Sequence, residues 1–193
     1  KDMSIDLNEQ LNTIHNEDYI RSVLVVLRKQ GFHFTQGYDI KIWGDIPINA
    51  GVSSSSALVV AWIRFLLTAT NQDQDISDIQ IGQWAYEAEV TYFNQPGGLM
   101  DQYTIAQGGL LYIDTLKAET QRLRADFGSL VIAESGIAKQ TLTVLQNAKT
   151  YGRAAIAEVQ KNVPNFNMQE AGEEDYKEYL KYKQQSIQKW LLC

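Results

Sequence analysis

Pro47-Ile48-Asn49-Ala50-Gly51-Val52-Ser53-Ser54-Ser55-Ser56-Ala57 is the stretch that decides how this chain folds. It follows residues 38–46, whose alternation predicts a strand with Ile40 and Ile42 on one face. It precedes residues 54–69, whose nearly unbroken apolar character predicts a buried helix. A turn of glycine and serines that opens a helix presents backbone N–H groups and hydroxyls at the positive end of the helix dipole. The stretch therefore predicts a binding site for phosphate oxygens.

A purely structural interpretation of the same stretch is open. Serine is a good residue to cap the start of a helix, and proline is a good turn former. One serine satisfies a cap, whereas four serines stand in a row at 53–56. The excess of hydroxyls favours phosphate binding.

Composition limits the classes of function. The chain has 193 residues, of which 45% are hydrophobic and 21% charged, as expected for one soluble domain or one and a part. A net charge of −6 gives no footprint for nucleic acid. Cys193 is the single cysteine, which excludes an internal disulfide. No apolar run reaches the roughly 18 residues of a membrane span, and the first residues lack a signal-peptide pattern. We expect a cytoplasmic protein with no membrane or nucleic-acid partner.

The other predicted elements come in runs and not in strict strand–helix alternation. This order favours an α+β layered fold. Helices are predicted over 17–29, 76–93, 99–106, 138–162 and 169–192, and further strands over 108–114 and 130–133.

A second motif occupies residues 87–102 and brings two acids across a turn. Glu89 lies near the end of a predicted helix, Gly97-Gly98 make a tight turn, and Asp101 begins the next helix. Mg²⁺ prefers carboxylate and hydroxyl oxygens, which Glu89 and a hydroxyl of the serine stretch would supply. Asp101 would then accept or orient the proton of an attacking hydroxyl.

Each part of this motif also has a simple structural interpretation. The two glycines are then only a turn, Asp101 is an acid stabilised by the helix dipole, and Glu89 is a solvated surface residue. The two motifs taken together favour the chemical interpretation.

The two segments resemble the GHMP small-molecule kinases, in the form closest to galactokinase-like sugar kinases. Residues 47–57 are similar to the family's central phosphate loop, and residues 87–102 to the segment with the metal-binding glutamate and the catalytic aspartate. Asp18-Tyr19-Ile-Arg-Ser-Val resembles a helix on the adenine side, and Ser135-Gly136-Ile137 resembles the crossing into a second domain.

The resemblance implies a domain organisation. Residues 1–128 would be part of an N-terminal ATP-binding domain with the GHMP kinase-like (ribosomal S5 domain 2-like) fold, and 129–193 the start of a helical or α+β C-terminal domain. The family's first motif does not precede residue 38, and its glycine-rich third motif does not follow Leu111. The chain therefore resembles the middle of a longer protein, truncated at both ends.

The resemblance also implies residue roles. Asp101 would be catalytic, Ser55 and Glu89 would ligate Mg²⁺, and Gly98 and Asp101 would contact the sugar. The ATP phosphates would be wrapped by Asn49, Ala50, Gly51, Val52, Ser53, Ser54, Ser55 and Ser56. Asn49-Ala50 replace glycines common in the family, which is tolerable where φ stays negative, and Ser56 stands where alanine is usual.

The function that the resemblance implies is transfer of the γ-phosphoryl group of ATP to a sugar hydroxyl, with ATP and Mg²⁺ as cofactors. Two alternatives stay open. One is a catalytically inactive relative or fragment that binds sugar or nucleotide. The other is a family member with a non-sugar acceptor such as mevalonate or homoserine.

Overall fold

The computed structural model describes residues 3–7, 11, 14–126, 128–133, 136 and 141–179. The chain divides into two compact units, Lys1–Lys139 and Gln140–Cys193. The predicted domain boundary between residues 128 and 129 stays a prediction.

The first unit is mixed, with helices around one apolar core and a small sheet after them. Its elements are α1 (Tyr19–Lys29), α2 (Ser54–Ala69), α3 (Asp78–Tyr86), a π-helical segment (Glu87–Thr91), α4 (Met100–Gln107), β1 (Leu110–Asp114) and β2 (Glu119–Leu123). In the second unit the structure describes α5 (Thr141–Gln160) and α6 (Glu173–Tyr179). The helices predicted from the sequence and the first strand of the sheet are confirmed within the described residues.

Helix α1 begins where a side chain replaces the missing backbone partner. Asp18 accepts a hydrogen bond from the backbone N–H of Arg21 at 3.2 Å and pairs with its guanidinium at 2.7 Å. Basic residues in the last turn, Arg28 and Lys29, suit the negative end of the dipole. The helix buries one apolar face against the core.

Helix α2 is the centre of the core. It contacts α1, α3, the π-helical segment and α4, and its buried side chains include Val59, Ile63 and Leu67. Burying each such side chain stabilises the fold by about 1.5–3 kcal/mol. Trp62 is also buried, and its indole N–H donates to the carbonyl oxygen of Ile20 at 3.1 Å. This packing fixes the position of the serines that begin the helix.

Helix α3 starts with a capping box formed by Ser77 and Gln80. It passes without interruption into the π-helical segment, where Tyr92 N–H donates to Glu87 carbonyl at 2.8 Å. Asn94 then adopts a φ of 50°, which turns the chain towards α4. Helices that carry a π turn often do so at functional sites.

The sheet is a two-stranded antiparallel hairpin in which Tyr112 pairs with Gln121. Asp114 closes its turn by accepting from the N–H groups of Leu116 and Lys117 at 3.0 and 3.1 Å. Ala118 completes the turn at a φ of 55°. Strand β2 was not predicted from the sequence.

Two predicted strands are wrong. Residues 38–46 and 130–133 are described and form no strand, because neither segment has a neighbour for a backbone ladder within the described part of the chain. Ile40 and Ile42 are exposed, as is Leu130. Trp43, in the first of these segments, is 81% exposed.

Some predictions fall outside the described residues. These are the crossing at Ser135 and Ile137, residues 138–140 of the predicted fifth helix, and the tail helix beyond residue 179. Of the helices that the structure describes, none combines the length and apolar character needed to cross a lipid bilayer.

Candidate functional site

Residues 49–56, which we name the serine loop, turn sharply before α2. Asn49, Gly51 and Ser53 have φ values of 59°, 79° and 56°. Asparagine and glycine tolerate this left-handed region, whereas serine is strained there. The condition of a negative φ is therefore not met at Asn49, where asparagine adopts the left-handed conformation in place of a glycine.

Ser53 immediately precedes α2, yet its side chain makes no capping hydrogen bond. The structural interpretation of the serines as helix caps thus lacks its defining contact at this residue. Backbone strain that is not compensated by a cap is common at ligand-binding loops.

The serine loop changes from exposed to buried along its length. Asn49, Ala50 and Gly51 are exposed, whereas residues 52–55 are half-buried. Ser56 is 1% exposed and faces the core. Solvent therefore reaches the loop up to Ser55, and Ser56 connects it with the interior.

Glu89 lies on the π-helical segment and is 5% exposed. Its Oε2 accepts a hydrogen bond of 2.7 Å from Nε2 of Gln102. A buried carboxylate is costly unless it is paired, hydrogen-bonded or bound to a metal. The interpretation of Glu89 as a solvated surface residue is therefore wrong.

Gln102 joins three elements through one amide nitrogen. Nε2 donates to Glu89 and lies 3.3 Å from Oγ of Ser56, so α4, the π-helical segment and the start of α2 meet there. The orientation of the amide follows from chemistry, because an ionised carboxylate accepts hydrogen bonds only. Oε1 of Gln102 is buried and finds no donor among the described residues. Gln102 is the last residue of the second motif, 87–102, and the roles predicted within that motif fall on Glu89, Gly98 and Asp101.

Asp101 is half-buried in the first turn of α4. Its carboxylate forms no hydrogen bond or ion pair with another described residue. Successive helical residues point about 100° apart, so Asp101 and the buried Gln102 face different directions. This carboxylate is available to a ligand.

The two glycines of the second motif differ. A Cβ added at Gly97 would lie 3.1 Å from Cγ2 of Val90, whereas one added at Gly98 would meet nothing within 4 Å. Gly97 therefore allows the turn to pack on the π-helical segment. Gly98 is exposed, and its contact with substrate stays a prediction.

Within the described ranges no group of three or more His, Cys, Asp or Glu side chains is placed to hold a metal. Mg²⁺ does not require such a group, because it is usually held by one or two carboxylates together with phosphates and water. Glu89 and the hydroxyls of the serine loop are oxygen donors of the required kind. The shared ligation by Ser55 and Glu89 stays a prediction.

Tyr19, at the start of α1, packs against the residues that follow the π-helical segment. Burial raises the pKa of its hydroxyl, a hydrogen bond with Gln95 lowers it, and the negative charges of Glu17 and Glu89 raise it further. Its ring packs edge-on against Phe93, with centroids 5.7 Å apart. The first turn of α1 therefore lies beside the segment that carries Glu89.

Comparison with known proteins gives a family match for this region. Residues 18–109 match the GHMP kinases N terminal domain, which confirms the resemblance seen in the sequence. The matched range includes the serine loop, Glu89 and Asp101.

The chain is also similar to bacterial galactokinases. It is 29% identical over 168 residues to a galactokinase of Clostridium beijerinckii, covering 83% of this chain and 42% of that protein. It is 36% identical over 91 residues to one of Exiguobacterium sibiricum, covering 47% and 23%, respectively. For a galactokinase of Limosilactobacillus fermentum the identity is 27% over 119 residues, covering 60% and 30%. The chain thus spans less than half the length of these relatives.

Proposed function

We propose, on the premise that residues 18–109 are a GHMP kinase N-terminal domain, that this chain belongs to an ATP- and Mg²⁺-dependent sugar kinase. The reaction is transfer of the γ-phosphoryl group of ATP to a sugar hydroxyl, as in a galactokinase. One observation carries the proposal: the amide of Gln102 reaches both Ser56 of the serine loop and Glu89. This contact supports the assignment of both motifs to one site.

In the proposed site the serine loop binds the ATP phosphates through backbone N–H groups and hydroxyls at the start of α2. Ser55 and Glu89 hold Mg²⁺, which neutralises charge on the phosphates when it is bound. The buried position of Glu89 supports this role, since a carboxylate with one neutral donor gains most from a cation.

Asp101 accepts or orients the proton of the sugar hydroxyl that attacks the γ-phosphorus, and the exposed turn at Gly98 lies against the sugar. The carboxylate of Asp101 supports this role because it is half-buried and makes no hydrogen bond to the described residues around it. Phosphoryl transfer needs positioning and charge neutralisation more than covalent help.

An ADP-release assay with a panel of sugars, together with the shift in melting temperature caused by ATP, tests the proposal. Galactose or a related sugar is expected to stimulate ADP release in the presence of Mg²⁺. A shift with ATP but no turnover with any sugar would favour an inactive binder. Turnover with mevalonate or homoserine alone would change the acceptor and keep the family.

A further inference from the structure

The contacts of Gln102 assign it a task that none of the motif roles includes. We infer that Gln102 is a positioning residue, which holds the carboxylate of Glu89 and the serine loop in the relative geometry that binds Mg²⁺–ATP. This inference rests on the proposed function. It concerns a side chain that is 3% exposed and that has no proposed contact with phosphate or sugar.

Gln102 and its two hydrogen-bond partners are all buried. Ser56, Glu89 and Gln102 are all at most 5% exposed, so water does not compete for their hydrogen bonds. A hydrogen bond between an amide and a carboxylate is stronger than one between neutral groups. Among the described residues, Gln102 is the one hydrogen-bond donor to the carboxylate of Glu89.

The three residues belong to three different elements of the fold. Glu89 comes from the π-helical segment, Ser56 from α2 and Gln102 from α4. One amide group thus sets the distance between a proposed metal ligand and the loop that would hold the phosphates. Partners that orient metal-ligating carboxylates typically change metal affinity or activity by about 10- to 100-fold when removed.

The amide oxygen of Gln102 is unfavourable for the stability of the fold. Its Oε1 is buried without a donor among the described residues, and an unsatisfied buried acceptor is destabilising. The amide nitrogen, and its two partners, therefore give the reason for glutamine at this position.

The test compares the affinity for ATP in excess Mg²⁺ with the affinity in EDTA, both by isothermal titration calorimetry on the full chain. The ratio of the two dissociation constants measures how far the metal strengthens nucleotide binding. Gln102→Met keeps the length of the side chain and removes the amide. We expect it to lower the ratio on the order of ten-fold while the affinity in EDTA stays within about two-fold of the unaltered chain.

Gln107→Met is the matched control, since Gln107 lies on the same helix and hydrogen-bonds Tyr103 and Thr120 instead. Its ratio should equal that of the unaltered chain. Ser56→Ala removes only one partner of Gln102 and should lower the ratio by less than Gln102→Met. This milder variant serves if Gln102→Met fails to fold, as judged by circular dichroism.

The outcomes separate the inference from the function it rests on. If the unaltered chain binds Mg²⁺–ATP and both Gln102→Met and Ser56→Ala keep its ratio, the positioning role is refuted and the kinase proposal survives. If the unaltered chain binds no ATP with or without Mg²⁺, the proposed function is refuted and the positioning role with it. An equal loss of affinity with Mg²⁺ and with EDTA would mean that Gln102 only maintains the fold, which also refutes the inference.

Discussion

The hydroxyl of Ser22 donates a hydrogen bond of 2.8 Å to the carbonyl oxygen of Ala88. Both residues are fully buried, and the contact joins α1 to the π-helical segment one residue before Glu89. A serine inside a helix usually bonds its own backbone. Here it also fixes the backbone that carries a proposed metal ligand.

Ser22→Ala should therefore lower the free energy of unfolding by about 1–2 kcal/mol, because it leaves a buried carbonyl without its donor. Urea denaturation measures this loss. Thr91→Ala is the control, since Thr91 lies on the same segment and is exposed. Equal stability of the two variants would show that the contact contributes nothing.

Gly82→Ala should destabilise the pair α3–α4 in spite of the helix propensity of alanine. The added Cβ would lie 3.2 Å from both Cα and Cδ2 of Tyr103, and overpacking of this kind costs about 1–3 kcal/mol. The gain in propensity is about 1 kcal/mol, so the net loss should be up to about 2 kcal/mol. Gly37→Ala is the control, because its Cβ meets nothing within 4 Å. A more stable Gly82→Ala variant would contradict the close packing.

Much of the helical part of the fold could be predicted from the sequence. Helix α2 has the predicted bounds, 54–69, because its apolar run and its serines are local signals. The strand predicted at 38–46 does not form, because an alternating pattern shows only which face of a segment is apolar. A strand also needs a neighbour for its backbone, and β2 shows the converse: the polar run 119–123 is a strand because β1 pairs with it.

Only part of the candidate site could be predicted, because sequence motifs are local signals. The motifs identified Glu89 and Asp101, and the chemistry of each residue type gave its proposed role. The burial of Glu89 and its contact with Gln102 depend on how three helical elements pack, which no local pattern contains. The signal that was present is spacing: a residue next to Asp101 on a helix points about 100° away from it, towards the core if Asp101 faces the ligand.

The ionisation of Tyr103 should lower the free energy of unfolding at alkaline pH. Burial raises the pKa of its hydroxyl, and a hydrogen bond with Gln83 opposes this in part. The ordinary value is about 10, so above that pH the unfolded chain releases a proton that the folded chain keeps. The contribution of Tyr103 is therefore complete below about pH 10 and is lost as pH rises through the higher folded pKa.

Urea midpoints measured from pH 8 to beyond 10 test this expectation. The decline should be shallower in Tyr103→Phe, which has no proton to lose. Tyr112→Phe, which changes an exposed tyrosine on β1, should decline like the unaltered chain. A Tyr103→Phe curve parallel to that of the unaltered chain would exclude Tyr103 as the source.

Asp101→Asn separates catalysis from folding more cleanly than any other change at the site. Asp101 forms no hydrogen bond or ion pair with the described residues, so replacing its carboxylate removes no internal contact. Stability should change by less than about 0.5 kcal/mol, as for surface substitutions. The rate of sugar-stimulated ADP release should fall by about 10²–10⁴, the range for a positioned general base, with the affinity for Mg²⁺–ATP unchanged.

Glu89→Gln should impair Mg²⁺ binding, whereas Asp101→Asn impairs the chemical step. It removes the charge that would hold Mg²⁺, so the advantage of Mg²⁺ over EDTA in ATP binding should disappear. The loss of rate in this variant would then follow from weaker metal binding, whereas in Asp101→Asn it follows from the chemical step. If Asp101→Asn weakens Mg²⁺–ATP binding as much as Glu89→Gln does, the two acids act on the same ligand, and the assignment of Asp101 to the sugar hydroxyl is wrong.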